Sequence, residues 1–153
     1  MNKTTDNRSH AGETQNVLAP TLEFLRQHAP FDRMSGAHIE FLAKHLRLGF
    51  YPKGKLVTEP GRGPARTFFI VKQGRVRGEV DDGRRPTEGE SWELTPGECF
   101  PIGALLAHRP PTIRRRAVED TFCFELDRAD FDQLLTQSPV FRDFCARRDA
   151  WRN

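Results

Sequence analysis

The spacing of apolar positions changes twice along this chain and divides it into three parts. Residues 20–47 and 128–151 place apolar side chains three or four positions apart, which predicts helices. Residues 47–126 instead break into short apolar runs between glycines and prolines, which predicts strands of a β-roll. Residues 1–18 are polar and have no such period, so we expect a flexible N-terminal tail followed by one domain over residues 19–153.

Three polar residues mark where predicted helices begin. Ser35 precedes a segment in which Ile39 and Leu42 share one face, and we expect it to be the N-cap of that helix. Asp127 and Ser138 stand in the same position before the two C-terminal segments. A proline follows Ser138 at the first helical position, where its missing N–H is not needed.

Turn-forming residues divide the central part into about seven short segments, each about five to nine residues long. The turn positions are Gly54, Pro60-Gly61, Gly74, Asp82-Gly83 and Pro96-Gly97. Many short strands at even spacing favour a closed or two-sheet architecture over alternating strand–helix units. We therefore predict a mainly β fold with flanking helices, of the double-stranded β-helix or jelly-roll type.

Composition says more about the cellular compartment of the protein than about its function. The chain has 153 residues and a net charge of +3, which permits an anionic partner without requiring one. No apolar run approaches the roughly 20 residues that cross a bilayer, and the N-terminus lacks the apolar region of a secretory signal. Cys99, Cys123 and Cys145 are widely spaced and odd in number, which favours reduced thiols in a cytoplasmic protein with no membrane partner.

Four stretches contain glycines and apolar strands in an order that resembles a known family. They are "YPKGKLVTEPG", "FFIVKQGRV", "LTPGECF", and "AVEDTFCFEL" with the "DFDQLL" that follows it. Together with the order of predicted elements they resemble the cyclic nucleotide-binding domain, the β-roll of catabolite activator proteins and kinase regulatory subunits, over about residues 22–144. The resemblance implies a non-catalytic regulatory module that binds a nucleotide in signal transduction.

A closer resemblance rests on "HAPFDRMSGAHIEFLAKHL", "IVKQGRVRGE" and "ECFPIGALLA". These stretches resemble the N-terminal module of bacterial proteins that continue into paired CBS domains and a nucleotidyltransferase. The resemblance implies a protein partner of this CBS/nucleotidyltransferase type, or a homodimer. Since the sequence stops before a helix-turn-helix of the activator type, we expect no direct DNA binding.

The loop that holds the nucleotide in this family departs from the family pattern here. The resemblance implies phenylalanine-glycine-glutamate followed by an arginine, in which the glutamate accepts the ribose hydroxyl and the arginine pairs with the cyclic phosphate. In this sequence Phe100 is followed by Pro101 and Ile102, and the arginine position falls on Pro111. A hydrogen bond to a charged group contributes about 1.5–3 kcal/mol, so losing both side chains weakens binding by about a hundred- to ten-thousandfold.

A ligand site in this chain therefore requires other residues of the loop and of the strand after it. The candidates are Gly97, Glu98, Phe100, Ile102, Gly103, Ala104, Arg109, Thr112 and Arg114. Arg114 and Arg116 share one strand face and Arg115 lies on the other, so one of these faces points into the roll. We expect a shifted phosphate site to use Arg109 or Arg114. The alternative is that these arginines pair with carboxylates on neighbouring strands or extend into water.

No catalytic or metal-binding pattern stands out beside this loop. The histidines lack HxH or HExxH spacing, so we expect no enzyme activity, no metal and no cofactor, although the cupin metal enzymes have a similar β-roll. Acidic residues close to "RRR" argue against a nucleic-acid surface. We predict a sensor of a small anionic ligand such as a nucleotide. The alternative is a protein-interaction module that docks partners through Phe141, Phe144, Cys145 and Trp151 of the C-terminal helices.

Overall fold

The computed structural model describes residues 18–79 and 93–152, with the backbone alone at residues 149–152. The predicted tail lies outside the described residues except for residue 18, which is already helical. The predicted turn at Asp82-Gly83 also lies outside them, as do the first three residues of "ESWELTPGE", one of the short segments predicted to be strands.

Helices flank the strands of the roll, and one further short helix lies within the loop between two strands. In chain order the elements are α1 (18–26), a 3-10 helix (Phe31–Arg33), α2 (Gly36–His45), β1 (Arg47–Tyr51), β2 (Leu56–Thr58), a 3-10 helix (Pro60–Arg62), β3 (Thr67–Gln73), β4 (Val76–Glu79), β5 (Glu93–Leu94), β6 (Cys99–Phe100), α3 (Ile102–Ala107), β7 (Arg114–Ala117), β8 (Thr121–Asp127), α4 (Arg128–Gln137) and α5 (Pro139–Arg152). No helix in the described ranges has both the length and the hydropathy needed to cross a membrane.

The strands form two antiparallel four-stranded sheets. The strand order is β1-β8-β3-β6 in one sheet and β2-β7-β4-β5 in the other. Strands far apart in sequence are neighbours: β1 pairs with β8, and β7 lies between β2 and β4. These pairings, with helices on the outside, confirm the predicted mainly β fold of the jelly-roll type.

Strand β3 separates two hydrophobic cores, which explains why its run "FFIV" is apolar at every position. Phe68 and Ile70 pack in the core that the flanking helices share, whereas Phe69 and Val71 point between the two sheets. We call the second cluster the roll core. It consists of Val57, Phe69, Val71, Val76, Leu94, Phe100 and Cys123, with Tyr51 packed against it.

The predicted helix caps are confirmed at two of three positions. Ser35 and Ser138 each accept, through the side-chain oxygen, the backbone N–H three residues ahead. Asp127 precedes α4 as predicted, but its side chain makes no capping hydrogen bond. Its carboxylate instead pairs with Arg47 on the neighbouring strand at 2.9 Å. The Asp127 carboxylate therefore forms a tertiary ion pair in place of the local hydrogen bond that would cap α4.

Candidate functional site

The loop between β6 and β7 contains the short helix α3, and this helix is packed closed. Ile102, Gly103, Ala104 and Leu105 are all buried. Ile102, at the position where the family resemblance implies a glutamate, packs in the core shared with the flanking helices, as does Ala104. These side chains fill space in that core, so the helix offers no polar side chain to a ligand.

Gly97 and Glu98 have structural contacts of their own. Gly97 has a φ of +95°, and a Cβ there would lie 2.2 Å from Nδ1 of His28. Glu98 accepts hydrogen bonds from the N–H and the hydroxyl of Thr95, at 2.9 and 3.1 Å. The glycine is therefore needed for close packing of the N-terminal helices, and the carboxylate closes a turn.

The three consecutive arginines alternate across β7 as the strand periodicity predicts. Arg116 pairs with Glu79 at 3.2 Å and donates to the carbonyl of Gly54, and Arg114 is half-buried on the same face. Arg115 is the arginine that points inward: it is only 3% exposed, and its guanidinium carbon lies 5.9 Å from the ring centroid of Phe100.

The other candidates of the loop divide between its surface and the roll core. Arg109 and Thr112 are exposed, and the carbonyl of Arg109 accepts the N–H of Ala65 at 3.0 Å. Phe100 is fully buried and stacks on Phe69, with ring centroids 5.0 Å apart. The structure therefore does not bring the nine candidates together around one space. A role for Arg109 or Arg114 in ligand binding stays a prediction.

A cavity of about 190 Å³ opens at the end of the roll, beside the loop. It lies between the end of β2, the connection from β2 to β3, and Pro101 and Pro111 of the loop. Its lining consists of Val57, Thr58, Glu59, Arg62, Gly63, Pro64, Ala65, Arg66, Thr67, Phe69, Pro101 and Pro111. We call it the mouth cavity. Most of its polar lining comes from "TEPGRGPART", in which the sequence pattern indicated only a turn.

Two features of the mouth cavity stand out chemically. Thr58 is 8% exposed, and its Oγ1 is buried without a hydrogen-bond partner among the described residues. Arg62 is folded back onto β2 by the 3-10 helix, where it donates to the carbonyl of Val57 at 3.1 Å and pairs with Glu59 at 3.3 Å. A buried hydroxyl without a partner is uncommon, since such groups are nearly always satisfied.

Arg128, the first residue of α4, ties the walls of the mouth cavity to the C-terminal helices. Its guanidinium donates to the carbonyl of Ala65 at 2.9 Å and to the carbonyl of Leu105 at the end of α3. Its backbone N–H also donates to the carbonyl of Arg66. The connection, the loop helix and α4 are thus held to one another through this residue.

Burial raises the pKa of four titratable side chains in the two cores. For Tyr51, burial is the larger cause and a 2.6 Å hydrogen bond to Glu125 the second, and together they raise its pKa well above the usual range. Burial also raises the pKa of Cys123 and of Cys145 to about 12, and that of Cys99 is raised as well. All three cysteines are buried and free. Within the described ranges, no group of histidine, cysteine and carboxylate side chains is placed to hold a metal ion.

The family assignment follows from the sequence profile, which agrees with this fold. The cyclic nucleotide-binding domain profile matches residues 48–138, more than half of the chain. The chain belongs to the cyclic nucleotide-binding domain family. Members of this family are in general regulatory and non-catalytic. The match contains both the mouth cavity and the loop. A comparison with curated proteins finds no match.

Solved structures with the same fold come from several organisms. The regulatory domain of Toxoplasma gondii protein kinase A with cAMP superposes with a TM-score of 0.76 at 19% identity, covering 89% of this chain and 51% of that one. The Thermus thermophilus catabolite activator protein gives 0.64 at 26% identity, covering 77% and 55%. The regulatory subunit of a cAMP-independent protein kinase A from Trypanosoma cruzi, bound to guanosine, gives 0.70 at 20% identity, covering 86% and 45%. The chain thus spans about half the length of these proteins.

Proposed function

We propose that this chain is a regulatory module that senses a small anionic ligand at the end of its roll, and that a nucleotide is the first ligand class to test. The observation that carries the proposal is the mouth cavity, which lies against the loop and has Arg62 and Arg66 in its lining. Its neighbours in fold support the class, since the solved structures above include a domain with cAMP and a subunit with guanosine.

The altered loop decides how such a ligand is bound. Pro101, Ile102 and Pro111 provide no ribose acceptor and no phosphate partner, so tight binding through the family's usual contacts is not expected. A ligand of this module therefore depends on cations outside the usual cassette. Arg128 connects the cavity to α4, because this first residue of α4 donates hydrogen bonds both to the cavity wall and to α3. A change in the cavity wall on ligand binding would therefore reach α4 through this residue.

Calorimetric titration tests this proposal directly. Cyclic AMP, cyclic GMP, AMP and ATP are titrated into the wild-type protein and into Arg109→Ala and Arg114→Ala. Arg147→Ala is the matched control, since Arg147 is 77% exposed on α5 and pairs only locally with Asp143. Saturable micromolar binding that Arg147→Ala leaves unchanged supports a sensor. No heat with any of the four nucleotides sinks the nucleotide form of the proposal.

A second candidate function is a protein-interaction module, and one surface feature favours it. A depression of about 500 Å³ lies between the first 3-10 helix and α5. It is lined by Arg33, Val140, Asp143, Phe144, Arg147 and Arg148. Three arginines around Val140 and Phe144 suit a partner segment that combines acidic and apolar side chains. Two of the residues predicted to dock a partner, Phe141 and Cys145, are instead fully buried in the core.

The partner class in this second candidate rests on the sequence resemblance alone. It is an enzyme with paired CBS and nucleotidyltransferase domains, acting in trans, or a second copy of this chain. Sedimentation velocity of the protein alone and with such an enzyme tests both, with Arg33→Glu as the charge reversal at the depression. A complex that Arg33→Glu abolishes supports the module, and monomers under all conditions oppose it.

A further inference from the structure

The mouth cavity has a polar group for which the fold alone gives no reason. Thr58 is cross-strand from Arg115, it lines the cavity, and it is more than nine-tenths buried. Its Oγ1 has no hydrogen-bond partner in the described part of the chain. A valine would have the same shape and would leave no hydroxyl unsatisfied. A hydroxyl at this position is explained by a partner that comes from outside the protein.

Arg62 provides a positive charge in the lining of the same cavity. The 3-10 helix returns it to β2, where Nη1 donates to the carbonyl of Val57 and Nε faces Glu59. A guanidinium has five N–H donors in a planar fork, so these two contacts orient the group and leave further donors for an anion. Its side chain is 53% exposed and therefore accessible from solution.

We infer that Thr58 and Arg62 form an oxyanion-binding site in the mouth cavity, which takes the phosphate or carboxylate group of a small ligand. Arg62 supplies a bidentate, charge-assisted contact, and Thr58 donates its hydroxyl after a rotation about χ1 that moves Oγ1 to another staggered position. The site rests on the proposed sensor function and specifies it. The anion is bound by β2 and the connection after it, at the place where Pro111 has removed the family's arginine.

The dimensions of the cavity limit the ligand. About 190 Å³ is below the roughly 300 Å³ at which ordinary small-molecule pockets begin. The cavity therefore accepts a whole small oxyanion, or only the charged group of a larger ligand.

Two substitutions separate binding from folding at this site. Thr58→Val removes only the hydroxyl, so the variant is expected to be at least as stable as the wild type and to bind the anion about tenfold or more weakly. Arg62→Gln removes the charge and is expected to abolish detectable binding. Arg77→Gln is the matched control, because that arginine is 50% exposed, pairs with a glutamate as Arg62 does, and lies on β4 outside the cavity lining.

In the experiment, inorganic phosphate, AMP, cyclic AMP and succinate are titrated separately into the wild-type protein and each variant. Calorimetry and the methyl and amide NMR shifts monitor binding. The expected result is binding of at least one of the four with shifts at Thr58, weakened by Thr58→Val and Arg62→Gln but not by Arg77→Gln. Phosphate against succinate shows which oxyanion is preferred. Binding that both variants leave intact overturns this site and leaves the sensor function standing. If the wild type shows no heat and no NMR shift with any of the four ligands, both the oxyanion site and the sensor function are overturned.

Discussion

Replacing Gly97 by alanine is expected to lower the free energy of unfolding without acting on a ligand site. Gly97 has a φ of +95°, where an L side chain costs about 1–3 kcal/mol. The added Cβ would also lie 2.2 Å from Nδ1 of His28, whereas ordinary contact begins at 3.4 Å. The His28 ring must therefore retreat, although it packs against Phe24 with centroids 4.6 Å apart.

Gly54 is a matched control, because it has the same backbone requirement without the crowding. Its φ is +92°, and a Cβ added there would have no atom within 4 Å. Gly54→Ala thus measures the cost of the backbone alone. Overpacking in a well-packed region costs about 1–3 kcal/mol, so Gly97→Ala is expected to exceed Gly54→Ala by about that amount.

Urea unfolding of both variants, monitored by circular dichroism, measures the difference. The double variant Gly97→Ala with His28→Ala is expected to recover part of the excess loss, because the ring that collides has been removed. Equal losses for Gly54→Ala and Gly97→Ala, within about 0.5 kcal/mol, would refute the packing argument. A loss of affinity at unchanged stability would instead support Gly97 as a ligand residue.

The other predictions concern protonation and helix capping. Tyr51 is the only tyrosine in the sequence, so absorbance at the phenolate band reports its ionisation alone. We expect no phenolate before unfolding in the wild type and ionisation at lower pH in Glu125→Gln, because the hydrogen bond to Glu125 has been weakened. Identical pH titrations of the two proteins would contradict a role for this hydrogen bond. The pKa of Cys123 and of Cys145 is raised to about 12 in the folded state. These thiols therefore do not lower the free energy of unfolding below their ordinary pKa of about 8.5. As the pH rises from there towards 12, the free energy of unfolding falls by about 1.4 kcal/mol per thiol and pH unit. Urea unfolding at rising pH measures this loss, and a flat profile would contradict it. Ser138→Ala is expected to lower the free energy of unfolding by about 1 kcal/mol, because it removes a capping hydrogen bond. Asp127→Ala is expected to lower it by less than about 0.5 kcal/mol, because it removes an exposed ion pair. Equal losses in urea unfolding would show that both residues cap their helices.

Features that depend on neighbours along the chain could be predicted from the sequence. Ser35 and Ser138 cap their helices because the partner N–H lies three residues ahead in any helix. Alternation along a strand placed Arg115 opposite to Arg114 and Arg116. The prediction that Pro101, Ile102 and Pro111 stand where the family resemblance implies glycine, glutamate and arginine likewise came from counting along the loop.

The inward-facing arginine and the position of the cavity depend on the folded chain as a whole. Arg115 points into the roll because β7 is paired between β2 and β4, two strands that come from earlier parts of the chain. The mouth cavity brings residues of the β2–β3 connection against Pro111, about fifty positions later. Asp127 is withdrawn from its helix by Arg47, eighty positions away. Such contacts depend on strand register and burial, which result from the packing of the whole chain and leave no local pattern in the sequence.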